Sequence, residues 1–347
     1  MEKEDHYAMA LSRIKNVGNR TYKSLVDFFG SAEAVLNAPF RALKTNFSTK
    51  NIAFNIKTEA RGLMVQATQD ISKCKAAGIS IIPYGDKRYP HRLKHIYDPP
   101  SLLYSLGAFD LNKKKMVAIV GTRNASSYGE RFVRELVAQL STCRDLVVVS
   151  GLAAGIDICA HRAALAYGLP TVAVTATGLD TTYPSVHKKE AGEISRQGCV
   201  LSEHPLGVKV EKYCFPIRNR IIAGLVDAVI VVEAGEKSGA LITARYANEF
   251  NRDVFAVPGK ITSAHSKGCH HLIKTHQAHM ITSAQDLSYI MNWDVPKTLL
   301  RNTSKNLTNE EMTLIGGLSV KEPLKIASLS VEAGLPVEKI LAVVMQL

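Results

Sequence analysis

The chain has 347 residues, 46% of them hydrophobic and 21% charged, proportions that exclude a disordered, collagenous or coiled-coil protein as a description of the whole. That length allows two or three domains and a full hydrophobic core. Forty-three Lys and Arg against 31 Asp and Glu leave a formal net charge of +12, which favours a polyanion partner such as nucleic acid without establishing one.

The excess is dispersed. Residues 1–77 carry 12 basic and 7 acidic side chains, 78–294 carry 25 and 19, and 295–347 carry 6 and 5, with no polylysine run. The start, Met-Glu-Lys-Glu-Asp-His, lacks the cationic and apolar pattern of a signal peptide. No apolar stretch approaches the ~20 residues that span a bilayer. Cys74, Cys143, Cys159, Cys199, Cys214 and Cys269 lie far apart, without redox or zinc-ribbon spacing. A cytoplasmic protein with reduced thiols, no membrane association and no cofactor is expected.

From Tyr7 to Ala77 the apolar residues recur at helical spacing, which predicts an all-α domain over 1–77. Within it, "IKNVGNRTYKSLVDFFGS" places Gly18 between two short helices, as a helix-hairpin-helix does. Such a hairpin can offer N–H groups and basic side chains to a phosphodiester backbone. A plain helical packing domain is the other reading of the same pattern.

Over 78–294 short β-branched runs alternate with helical segments. Strands are predicted at Ile79–Pro83, Met116–Val120, Leu146–Ser150, Thr171–Thr175, Cys199–Ser202, Ala228–Glu233 and Val254–Val257. Helices are predicted at Tyr128–Thr142, Ile156–Tyr167, Val186–Gln197, Arg220–Gly224 and Ala240–Asn251. Continuously apolar strands alternating with helices specify an α/β fold, a Rossmann-like doubly wound, mostly parallel sheet covered on both faces. Residues 295–308 read as a polar linker. Helical patterns follow near Asn309–Ile315, Pro323–Leu329 and Pro336–Gln346, and suit a winged-helix-like module over 309–347 that lacks a wing.

Ligands of open parallel sheets gather at the carboxyl ends of the strands. The first such loop, "AIVGTRNASSYG", offers Gly121, Thr122, Ser126 and Ser127 as small or hydroxylic phosphate donors ahead of a helix, and Arg123 as a fixed charge. The G-x-G-x-x-G spacing is absent, as is an acidic residue after the next strand, so a dinucleotide site is not expected. In "VVVSGLAAGIDICAHRAA", Asp157 and His161 stand at i and i+4 on one helix face. They are either an acid–base couple or a helix-start carboxylate beside a packed imidazole.

In "YCFPIRNRIIAG", Phe215 stands near Arg218 and Arg220, with Asn219 placed to cap the following helix. An aromatic beside guanidinium groups suits single-stranded nucleic acid. The other reading puts Phe215 in the core and pairs the arginines with Glu203 or Glu233. In "VVEAGEKSGALITARYA", Lys237, Ser238 and Gly239 form a second phosphate cradle at a helix start. His265, Cys269, His270, His271, His276 and His279 crowd one segment without the spacing of a usual zinc site.

The stretches "GTRNASSYG", "VVSGLAAGIDICAHRAAL", "TGLDTTYP", "GCVLSEHPLG", "FPIRNRIIAGLVDAVIVVEAGEKSGALITARYA" and "VFAVPG" together resemble the DNA-processing family DprA, also called Smf, over about residues 80–290. The resemblance implies an extended Rossmann fold behind a small N-terminal domain of helix-hairpin-helix or SAM-like type. It also implies a non-enzymatic recombination mediator that binds and protects single-stranded DNA and loads a RecA-type recombinase in natural transformation. Such proteins act as homodimers. Carried over residue by residue, the DNA-contacting positions are Gly121, Thr122, Arg123, Ser126, Ser127, Phe215, Arg218, Asn219, Arg220, Lys237, Ser238 and Gly239.

This sequence departs from the family pattern at Ala154, where Arg is usual, and at His187, where Asn is common. An alternative expectation is a nucleotide-cleaving hydrolase resembling the LOG phosphoribohydrolases. Those share a related core, but the Pro-Gly-Gly-x-Gly-Thr motif is replaced here by "EAGEKSGALIT". Glu233 would be its base.

Overall fold

The computed structural model describes residues 2–47, 51–208 and 211–294, together with Pro336. The chain separates into two compact units, Met1–Pro296 and Lys297–Leu347, and every described element belongs to the first. The expected linker at 295–308 and the three helical patterns of the 309–347 module lie outside the described residues, apart from Pro336.

The chain opens with α1 (Glu2–Ser12), α2 (Asn19–Phe29), α3 (Ala32–Asn37), α4 (Phe40–Asn46) and α5 (Ile52–Ala76). In α2 the buried residues are Tyr22, Leu25 and Val26, at i, i+3 and i+4. Gly30 ends that helix at φ +90, its N–H donating to the Val26 carbonyl at 2.8 Å. Ser31 then starts α3 by accepting from the Ala34 N–H at 3.0 Å. The guanidinium of Arg13, just past α1, reaches Asp70 on α5 at 2.8 Å.

There follow β1 (Ile79–Pro83), α6 (His91–Lys94), β2 (Leu102–Leu106), β3 (Lys115–Val120), α7 (Ser127–Leu140), β4 (Leu146–Ser150), α8 (Ile156–Ala166) and β5 (Thr171–Val174). After these come α9 (Lys188–Gln197), β6 (Cys199–Ser202), α10 (Cys214–Leu225), β7 (Ala228–Val231), α11 (Gly239–Glu249), β8 (Asp253–Ala256), α12 (Lys267–Lys274), β9 (His279–Met280) and α13 (Ala284–Met291). The nine strands form one sheet in the order β1-β2-β6-β5-β4-β3-β7-β8-β9. It is parallel from β6 to β9, while β2 pairs antiparallel with both β1 and β6. This is the Rossmann-like, mostly parallel α/β fold expected from the alternation.

Two faces have to be covered because β3 and β4 are buried along nearly their whole length. Alternate residues of a strand point to opposite faces. Val117 and Ile119 pack with Val133, Leu136, Val137 and Leu140 of α7 and with Ile156 and Ala160 of α8. Met116, Ala118 and Val120 share the other core with Ile221 and Ile222 of α10, Ala244 of α11 and the N-terminal helices. The α7 residues follow the i, i+3, i+4, i+7 spacing of a helix with one apolar stripe. Each fully buried aliphatic side chain here contributes about 1.5–3 kcal/mol relative to exposure.

Two strands, three helices (α6, α12 and α13, none of them predicted) and one helix start depart from expectation. β2, absent from the predicted strands, is a buried strand that joins the β1 hairpin to the parallel sheet through Tyr104 opposite Ser202. β9 has two residues and pairs only through Phe255–His279 and Ala256–Met280, too short to leave a periodic signal. α10 begins at Cys214, six residues before the predicted start at Arg220. Pro216 lies in its first turn, where a missing N–H costs no intrahelical bond. Among the described residues no helix is long and apolar enough to cross a membrane.

The loops after β3 and β4 touch at Gly155, which starts α8 at φ +77. A Cβ there would stand 2.2 Å from the Thr122 carbonyl oxygen. Both the dihedral and the space require glycine. Gly155→Ala is expected to lower unfolding free energy by about 2 kcal/mol or more. A urea titration midpoint equal to that of the parent would contradict this.

Candidate nucleic-acid interface

From β3 the chain winds outward through β4, β5 and β6 on one side, then returns to lay β7, β8 and β9 on the other. The reversal leaves a crevice at the carboxyl ends of β3 and β7. Its walls are tied together by backbone. The Thr122 N–H donates to the Glu233 carbonyl at 2.7 Å, and the Ile156 N–H donates to the Thr122 carbonyl at 3.1 Å.

The crevice is an open cleft of about 750 Å³. It gathers nine of the expected residues, Gly121, Thr122, Arg123, Phe215, Arg218, Asn219, Lys237, Ser238 and Gly239. The Arg123 guanidinium carbon lies 5.2 Å from the centre of the Phe215 ring, a cation–π arrangement. Phe215 is half-buried, so neither the core reading nor a fully exposed platform describes it; one side packs near Tyr183, at 5.4 Å between ring centres. Across the cleft Lys237 is exposed and precedes Ser238, whose hydroxyl accepts from the Ala240 N–H at 3.3 Å and starts α11. Neither Arg123 nor Lys237 forms an ion pair among the described residues. Exposed cations left without acids, beside an aromatic ring and a helix start, suit a flexible polyanion with stackable groups.

Arg218 is at the cleft floor but only 4% exposed. It donates to the Gly151 carbonyl at 2.8 Å and to the Val174 carbonyl, clamping the ends of β4 and β5. Burial lowers its pKa to about 10, with Asp157 opposing and Arg123 adding to the shift, so it stays a cation at neutral pH. Asn219 is inside α10 and caps nothing. Its amide donates to the Gly239 carbonyl at 3.2 Å and ties α10 to α11.

Three expected residues fall elsewhere. Arg220, 5% exposed, is turned away from the cleft; it pairs with Glu203 and lies 3.5 Å from Asp98. Its charge is therefore already committed, which corrects its assignment to phosphate. Ser126 caps α7, and its N–H and hydroxyl both donate to the buried Glu233 carboxylate at 2.9 and 2.5 Å. Together they line a neighbouring cavity of about 700 Å³. Ser127 is exposed in the first turn of α7, outside both cavities. With Glu233 holding the β3–α7 loop from behind, the base needed by the hydrolase alternative does not face the cleft.

Asp157 and His161 are likewise structural. Asp157 accepts from the Gly151 N–H at 3.2 Å, and burial pushes its carboxyl up while Arg218 pulls it down. His161 is fully buried, with Nδ1 2.8 Å from the Thr171 hydroxyl. Burial, with His187 and Arg218 nearby, lowers its pKa to about 3. In the His-rich segment Cys269 is buried against the Val231 and Val232 carbonyls, and His270 meets Gly259 at 3.0 Å. Among the described residues no group of three or more potential ligands could hold a metal ion.

Sequence reasoning missed Tyr183 and Lys212, which also line the cleft. Tyr183 was visible in the "TTYP" stretch, whereas nothing local marks Lys212.

An open cationic and aromatic crevice at the switch point of a mostly parallel sheet defines a doubly wound α/β protein. Residues 80–292 match the family DNA recombination-mediator protein A, and the chain belongs to that family. It is 48% identical over 202 residues to the DNA processing protein DprA of Streptococcus pneumoniae, covering 58% of this chain and 71% of that one. It is 41% identical over 234 residues to the DprA of Bacillus subtilis, covering 67% and 78%. The X-ray structure of the Streptococcus pneumoniae DprA superposes with a TM-score of 0.65 at 36% identity, over 83% of this chain and 98% of that one. A Helicobacter pylori DprA structure, described for its single-stranded DNA binding mode, gives 0.56 at 30% identity over 62% and 97%.

Arg220→Ala leaves the mostly buried Glu203, its side chain 11% exposed, without its partner and is expected to cost about 3 kcal/mol of stability, read from denaturant midpoints. An unchanged midpoint would show the pair to be dispensable. His161 has a folded pKa lowered to about 3 from an unfolded value of about 6.5. Between those values the unfolded chain binds more protons, so stability is full above about pH 6.5 and falls as pH drops toward 3. His161→Asn should flatten that part of the stability–pH curve. Equal slopes in mutant and parent would remove His161 as its source.

Proposed function

We propose that this recombination mediator binds single-stranded DNA in the cleft at the carboxyl edge of its sheet. The observation that carries the reading is Arg123 stacked on Phe215 opposite Lys237, both cations without acidic partners among the described residues. The cations neutralise phosphates, while Phe215 and Tyr183 offer ring surface to any base. Affinity is therefore largely independent of sequence and falls with salt. Arg218 supplies background positive potential and holds the floor in shape. The Helicobacter pylori relative, described by its single-stranded DNA binding mode, supports the assignment.

The remaining expectations belong to the same proposal. A three-part chain, with a helical N-terminal domain at 1–77, the Rossmann-like domain at 78–294 and a helical module at 309–347 beyond a linker, acts in the cytoplasm as a homodimer. It hands DNA to a RecA-type recombinase, notably in natural transformation. Dimerisation would bring two clefts to one strand and raise avidity.

Anisotropy titrations of labelled single-stranded and double-stranded oligonucleotides across a salt series test the cleft. Arg123→Ala and Lys237→Ala should each weaken single-strand binding and reduce the log–log salt slope by about 0.7. Unchanged affinity and slope in both variants would remove the cleft as the binding site.

A further inference from the structure

The helical hairpin around Gly18 is not used by the cleft, yet it lies beside a second arginine–aromatic pair. The Arg20 guanidinium carbon is 4.6 Å from the centre of the Tyr97 ring, and Arg20 also donates to the Tyr97 hydroxyl. Tyr97 is 72% exposed. With Arg20 on one face of its ring, Tyr97 offers the remaining surface to a planar group. Lys23, three residues after Arg20, and Lys94, three residues before Tyr97, lie 5.2 and 5.8 Å from the Tyr84 ring.

The neighbouring acids are already committed. Asp27 pairs with Lys23 at 2.7 Å, and Asp98 faces Arg220 at 3.5 Å. Arg20 and Lys94 form no ion pair among the described residues. The start of α2, at Gly18, has no side-chain cap, so its first N–H groups add positive potential beside Arg20. The platform is held rigidly, because Asn19 accepts from the Ser101 N–H and hydroxyl at 3.0 and 2.8 Å.

This patch is connected to the cleft through α10. Phe215 is in its first turn, and Arg220, five residues on, meets Asp98, the residue after Tyr97.

We propose that Arg20 and Tyr97 form a second stacking site for the same single strand, at the junction of the helical domain and the sheet. The proposal rests on the cleft reading above for its ligand. It makes the N-terminal helices part of the binding surface and gives the protein a longer footprint than the cleft alone.

The test uses the full chain with oligothymidylates of about 8 and about 24 nucleotides, lengths that bracket one binding platform and several. Tyr97→Ala and Arg20→Ala, both at exposed positions, should each weaken binding of the long oligonucleotide about fivefold or more and leave the short one unchanged. Tyr97→Phe should restore parental affinity, since the ring is kept. Parental binding of both lengths by Tyr97→Ala, while Arg123→Ala weakens both, would overturn the second site and leave the cleft standing. Equal loss on both lengths would also overturn it, as a general disturbance. If Arg123→Ala is silent while Tyr97→Ala still weakens the long oligonucleotide, the cleft reading fails and the junction surface stands.

Discussion

The carboxyl edge of the sheet depends on one residue, Glu233. Its carbonyl receives the Thr122 N–H, and its carboxylate receives both the N–H and the hydroxyl of Ser126. A single buried side chain at the end of β7 thereby fixes the loop after β3, which carries Arg123. A buried carboxylate is tolerated only when hydrogen-bonded, and the bonds that satisfy it are the ones that hold the loop. The same constraint directs this carboxylate to Ser126 and the neighbouring cavity instead of the cleft.

The cleft separates its arginines by task. Arg218 is surrounded by strand-end carbonyls and remains charged in the interior, where it acts on the shape and potential of the floor. Arg220 neutralises Glu203 and braces the contact between α10 and the segment before β2. Arg123, Lys212 and Lys237 combine exposure at the cleft with freedom from acids among the described residues. A net charge of +12 accelerates encounter with a polyanion, but few of those charges are placed to hold one.

Much of this was legible before the fold was known. The β-branched runs mark β1, β3, β4 and β6 almost residue for residue, because strands buried on both faces are continuously apolar. β2 escaped because Leu-Leu-Tyr-Ser-Leu sits between prolines and a glycine and is recognised as a strand only by its partners β1 and β6. The start of α10 escaped because Pro216 reads locally as a break. In the segment "FPIRNR" the residue types were read correctly, but their directions were not. Arg218 and Arg220 are two residues apart on one helix, about 200° around its axis, so they cannot share an environment.

The sequence by itself determined the α/β class, the family and the loops in which the cleft residues occur, because periodicity and motif spacing are properties of the chain. Only the tertiary structure decided which cations are free. Whether an arginine meets a carboxylate, a carbonyl or open solvent depends on elements far apart in sequence, such as Asp98 and Glu203 around Arg220. The pairing of Arg20 with Tyr97, 77 residues apart, is invisible for the same reason: neither position carries a local pattern, and only packing of the helical hairpin against the segment before β2 brings them together.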